Sequence, residues 1–110
     1  MRYKSFYILP AMAKKTLSEH GWDFESKSRL PEHLESDLVI ALNLSFIESY
    51  SGVNDYKGDG FKVTFIKDDD FHIENVYFRV YQSGFNDLVD LICSLFEKNY
   101  DIEIFVPSFK

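Results

Sequence analysis

The sequence predicts an α+β domain: a mixed or antiparallel sheet of about five strands, with two helices packed on one face. Three observations carry this. Residues 61–66 and 71–81 read as two alternating strands joined by a polar turn. Residues 85–96 form an amphipathic helix, and residues 102–106 alternate again. At 110 residues the chain has the length of one core, so residues 1–110 are read as a single domain.

The elements follow in order. Residues 2–9 are rich in Tyr and Phe, and Phe6, Tyr7, Ile8 and Leu9 form a continuous apolar run, as in a strand covered on both faces. Pro10 suits a first helical position and Gly21 a helix stop, so residues 11–20 are predicted as a helix. Met12, Ala13, Leu17 and His20 would face inward, and Lys14 and Lys15 outward. Residues 22–37 are polar and aperiodic, a loop pinned by Trp22 and Phe24. In residues 37–47, Leu38, Ile40, Leu42, Leu44 and Phe46 alternate at period two, which predicts a strand. A helix over 34–50 is the alternative, because Leu, Ala and Glu are good helix formers.

Residues 48–60 hold three glycines among Asn, Asp and Ser and read as a mobile connection. Phe61, Val63 and Phe65 then share one strand face, with Lys62 and Thr64 on the other. Lys67–Asp70 is the turn of a hairpin. The phase of its return strand slips near Glu74–Asn75, which a bulge at Asn75 would explain. Tyr77, Arg79 and Tyr81 would share the less apolar face. In the helix over 85–96, Ser83 is the expected N-cap, Asp87 and Asp90 lie near the positive end of the dipole, and Lys98 lies near the negative end. Its wide apolar arc predicts deep burial, with Cys93 as a small buried hydrophobe. The last strand would pair parallel with a neighbour across this helix, and Pro107 would end it.

Composition limits the function. Apolar residues make up 45% and charged residues 27%, as in soluble globular chains. No apolar run reaches about 18 residues, so no membrane span is expected. Residues 1–6 lack the apolar core of a secretory signal, and a single cysteine excludes an internal disulfide; a cytoplasmic location is expected. Net charge is −6, with residues 1–20 at +3 and the remainder at −9. An acidic body repels nucleic acid and anionic membranes and attracts basic partners. Arg2, Lys4, Lys14 and Lys15 are the only basic cluster in the sequence.

No catalytic, metal or cofactor motif emerges. His20, His33 and His72 are scattered, without a local ligand pair. Asp55, Asp59 and Gly60 have calcium-loop spacing, but Lys57 and Ile66 occupy two ligand positions. Gly58 and Gly60 do not make a phosphate-cradling loop. No Ser-His-Asp or Cys-His arrangement can be assembled, so no enzyme activity is expected. The sharpest charge feature is Asp68-Asp69-Asp70. Adjacent carboxylates in a turn are ordinarily just solvated, but they also suit a Lys/Arg-rich partner, and Glu74, Asp55 and Asp59 would extend the patch. Tyr56, Tyr77 and Tyr81 are the candidate aromatic anchors beside it.

In size, acidity, α+β makeup and lack of a catalytic signature, the whole chain resembles bacterial immunity proteins. These neutralise toxins of contact-dependent inhibition and related polymorphic toxin systems. The resemblance implies a cytoplasmic antitoxin that plugs the cationic cleft of a toxin domain, often a nuclease, with Asp, Glu and Tyr side chains. A small enzyme or ligand-binding domain with a pocket between sheet and helices is the alternative. A DNA-mimicking inhibitor is a third reading; it would need carboxylates spaced along one face.

Overall fold

A computed structural model describes residues 3–81, 83–96 and 101–107. Arg2, Glu97 and Lys98, which carried parts of the sequence reading, lie outside the described residues. In chain order the elements are β1 (Lys4–Pro10), β2 (Lys14–Ser18), β3 (Gly21–Glu25), α1 (Leu34–Ala41), β4 (Ser45–Tyr50), β5 (Val53–Lys57), β6 (Phe61–Lys67), β7 (Ile73–Val80), α2 (Phe85–Phe96) and β8 (Ile102–Phe105). Six strands form one sheet in the order β4-β5-β6-β7-β1-β8, and β2 and β3 form a separate hairpin. The sheet is therefore larger than five strands, and every strand pairing among the described residues is antiparallel. The expected parallel pairing of the last strand does not occur. β7 and β8 do run parallel, but β1 lies between them and pairs antiparallel with both. The N-terminal strand thus takes the slot that a simple crossover would have closed.

Alternation divides the sheet into two faces. Phe6 and Ile8 of β1, Val63 and Phe65 of β6, and Val76, Phe78 and Val80 of β7 point to one side, where they are buried with Leu34 and Leu38 of α1 and Ile92 of α2. Phe6 stacks on Phe78 at 4.4 Å and meets the edge of Phe85 at 5.5 Å. Both helices pack on this face, as expected, but the first of them is not the one predicted.

Residues 11–20 form no helix. Lys14–Ser18 pairs with Gly21–Glu25 across a Glu19-His20 turn, and Gly21 takes φ +111° there. The supposed inward His20 is exposed, 3.5 Å from Glu19. Tertiary contact overrides the Pro and Gly punctuation: Phe24 packs on Tyr7 at 4.9 Å, and Trp22 on Phe105 at 4.8 Å. The hairpin thereby covers the β1–β8 part of the helix-free face. β3 also replaces the first part of the expected loop.

Of the strand predicted over residues 37–47, residues 37–41 are helical and residues 42–44 form the helix exit; only residues 45–47 are strand, in β4. Leu34 and Leu38 are buried one turn apart, with Val39 and Leu42 packed beside them. Asn43 ends α1 at φ +52°, with hydrogen bonds from Leu44 N–H to the Val39 carbonyl (2.9 Å) and from Asn43 N–H to that of Ile40 (3.3 Å). This is the Schellman pattern, with Leu44 buried as it leaves the helix. The mobile connection expected over 48–60 is also ordered. Ser51 and Gly52, at φ +39° and +80°, make a two-residue turn between β4 and β5.

α2 begins after Gly84, whose carbonyl accepts the Leu88 N–H, so the N-cap falls on Gly84 and not on Ser83. The helix is less buried than its arc suggested. It lies against one layer only: Ile92 is buried, Cys93 is half-buried, and Leu91 and Leu95 are exposed. The bulge in β7 falls on Glu74, since Ile66 pairs with Asn75 while Lys67 pairs with Ile73.

The C-terminal stop of α1 yields the first prediction. Asn43→Val, β-branched in a left-handed site, should lower stability by about 1–2 kcal/mol, whereas Asn43→Gly should be neutral or stabilising. Denaturant titration of the two variants separates them; equal losses would remove the backbone explanation.

Candidate partner-binding site

The acidic turn is built by its first aspartate. One oxygen of Asp68 (Oδ1) accepts the N–H groups of Asp70 and His72, each at 2.9 Å. The other oxygen (Oδ2) accepts Arg29 Nε at 2.7 Å. Asp68 N–H donates to the His72 carbonyl, and Phe71 N–H to that of Asp68. The Asp68 side chain is only 13% exposed. Desolvation pushes its carboxyl up, but the His72 N–H, Arg29 and the Asp70 N–H outweigh this and hold it below the ordinary value. Asp68 is thus the organiser of the turn, with its carboxylate engaged within the chain. Asp68, Asp70 and His72 offer ligand atoms within 4.8 Å of one another. Both Asp68 oxygens are already engaged, however, and a cation would have to compete with Arg29.

The organised turn displays the residues that follow. Asp69 and Asp70 are exposed, and Phe71 is 74% exposed at φ +65°. Glu74 is turned outward by the bulge. Glu32 approaches from the segment before α1, 3.8 Å from His72 Nε2. Asp69, Asp70, Phe71 and Glu74 therefore share one end of the sheet, and Phe71 and Arg29 are the members that the sequence reading missed.

The other predicted residues do not join them. Asp55 lies mid-strand on the helix-free face, where it accepts Thr64 Oγ1 at 2.6 Å and is hydrogen-bonded to Tyr50. Tyr77 is on the same face, stacked on Tyr7 at 4.7 Å. Burial and the neighbouring Tyr3 and Tyr7 push its hydroxyl pKa up. Asp59 is exposed in the β5–β6 turn, and Tyr81, against Tyr3 at 5.6 Å, lies beside that turn. Both are at the far end of β6 from Asp68.

Tyr56 points to the helix face. Its hydroxyl donates to Glu35 at 2.6 Å, and burial followed by Glu35 pushes its pKa up to about 12. Glu35, on α1 and 15% exposed, also accepts Asn54 Nδ2 at 2.9 Å and pairs with Lys67 Nζ at 2.8 Å. Burial pushes the Glu35 carboxyl up, but the Lys67, Tyr56 and Asn54 hydrogen bonds outweigh it and lower its pKa. Tyr56 is thus a strut between helix and sheet.

No family model matches the chain, and no curated protein or solved structure is significantly similar to it. No described helix is long and apolar enough to cross a membrane.

Glu35 and Asp68 both titrate lower in the folded chain than in the unfolded one. The unfolded state therefore binds more protons in acid, and stability falls as pH drops through their folded pKa values. Their contribution is complete above about pH 5. Glu35→Gln should cost about 1–2 kcal/mol at neutral pH and flatten the acid limb of a Tm-versus-pH curve. An unchanged limb would rule out Glu35 as a source of that slope.

Proposed function

We propose that the chain is a non-catalytic binding protein that occludes a basic surface of a protein target through the β6–β7 turn. The observation that carries this is Phe71. A bulky residue at positive φ is uncommon and costs about 1–3 kcal/mol. Here that backbone holds an aromatic ring in solvent, flanked by Asp69 and Asp70 and fixed by the Asp68–Arg29 pair. An aromatic anchor among carboxylates suits a partner that offers an apolar socket rimmed by Lys and Arg. A turn already ordered in the free protein loses little further entropy on binding.

The proposed role is that of an immunity protein acting in the cytoplasm on a basic toxin domain, with a nuclease cleft as one form of the target and no direct contact with nucleic acid. The chain's acidity, which also speeds encounter with a cationic target, supports it. Co-purification with the product of the adjacent gene is the test. Asp69→Lys/Asp70→Lys should slow association about 10–100-fold at low salt, and Phe71→Ala should mainly speed dissociation. Absence of a complex at about 50 mM salt, or a complex indifferent to both changes, would overturn the proposal.

A further inference from the structure

The strand register lines up cations across the helix-free face. Lys57 stands opposite Lys62, Lys62 opposite Arg79, and Ser5 follows on β1. Directly opposed residues of antiparallel strands share a face with Cβ atoms about 4.5–5.5 Å apart, and like charges so placed repel. Three cations elsewhere are paired, Lys15 with Glu103, Arg29 with Asp68 and Lys67 with Glu35. Lys4, Lys14 and Lys27 make no ion pair among the described residues, but they do not stand together in a cross-strand row. Among the described residues, none of Lys57, Lys62 and Arg79 lies within ion-pair distance of a carboxylate. Arg79 lies 5.6 Å from the Tyr77 ring centroid, and its Nε is buried without an acceptor. Asp55, in the next row, is engaged by Thr64 and Tyr50. Beyond the cations lie Tyr81 and Tyr3, the latter 49% exposed.

We propose that this face docks an acidic segment of a protein partner, with carboxylates along Lys57, Lys62 and Arg79 and apolar contact on Tyr3 and Tyr81. The row supplies charge complementarity in a chain that is otherwise acidic. Arg and Tyr are the residue types enriched in the buried centres of protein interfaces, and a guanidinium binds carboxylate in a planar fork. A long polyphosphate strand fits less well. Such a strand needs a longer cationic track, whereas this row holds three cations and is bordered by Asp55 and Glu48 in the adjoining row. The row is about 17 Å along β6 from the acidic turn, so this site is independent of the turn's proposed role.

The experiment is a titration of the isotope-labelled protein with a deca-glutamate peptide at about 50 mM salt, followed by NMR. Shifts should centre on Lys57, Lys62, Arg79 and Tyr81 and spare Asp69 and Asp70. Lys62→Glu should weaken binding about tenfold or more, and Arg79→Gln should weaken it as well. In the absence of peptide, Lys62→Glu should raise Tm by about 1–4 °C, because it replaces repulsion with attraction along the row. The spectrum of each variant reports whether it folds. Absence of shifts at millimolar peptide, or shifts centred elsewhere, would overturn the proposal. Tighter binding of oligothymidylate at the same row would assign the site to nucleic acid. Self-association in the ultracentrifuge that Lys62→Glu abolishes would assign it to a second copy of the chain. Either result displaces the acidic partner segment.

Discussion

The pairing of β6 with β7 decides which way every residue of both strands faces, and most of the molecule depends on that choice. A slip of one residue would turn one strand over against the other, taking either Val63 and Phe65 or Val76 and Phe78 out of the core and putting Lys62 or Arg79 in their place. Two devices hold the register. Asp68 closes the turn at one end with two backbone hydrogen bonds and the Arg29 pair. The bulge at Glu74 absorbs one extra residue, so that Ile73 and Val76 both reach the core although their spacing breaks alternation. β1 then pairs with β7 in a register that brings Phe6 over Phe78.

The helices are consequences of that platform. α1 has eight residues, too few to be stable alone. It is held by three things at once: Leu34 and Leu38 in the core, the Schellman turn at Asn43, and Glu35 reaching Asn54, Tyr56 and Lys67. The Glu35 network also ties β5 and β6 to the helix, so it links the outer part of the sheet to its centre. α2 rests on Phe6 and its neighbours through Phe85 and Ile92, and only its inner side is covered.

The legible parts of the sequence are those where local pattern and final burial agree. Residues 61–66 and 85–96 show their own periods, because one face of each is buried and the other is largely polar. Residues 14–25 do not. What makes them a hairpin is Trp22 and Phe24 meeting Phe105 and Tyr7, residues remote in the chain. Residues 34–44 misled for a different reason. Leu42 and Leu44 follow the helix out through its C-cap into the core, so a helix and its exit together imitate strand alternation; Asn43 was the readable stop signal. At the acidic turn the charge run was visible, but Asp68's role was not, because its partner Arg29 is 39 residues away. The Lys62–Arg79 pairing was closer to reach. The sequence shows both on the less apolar strand face, and one bulged residue at either Glu74 or Asn75 places them opposite each other once Lys67 pairs with Ile73; that first pair is set by the turn and was not legible.

Net charge is a poor guide to what such a surface meets. A total of −6 describes the field far from the molecule. At physiological ionic strength that field decays over about 8 Å, roughly half the distance along β6 between the acidic turn and the Lys57–Lys62–Arg79 row. Close to the surface each patch therefore presents its own sign, and a partner feels the patch it touches more than the total. Both patches sit on the same sheet, sharing the β6–β7 hairpin with Lys57 added from β5, so their separation is set by strand geometry and not by a linker. An acidic composition thus accounts for attraction to basic surfaces at long range, while leaving room for a face of opposite preference on the same sheet.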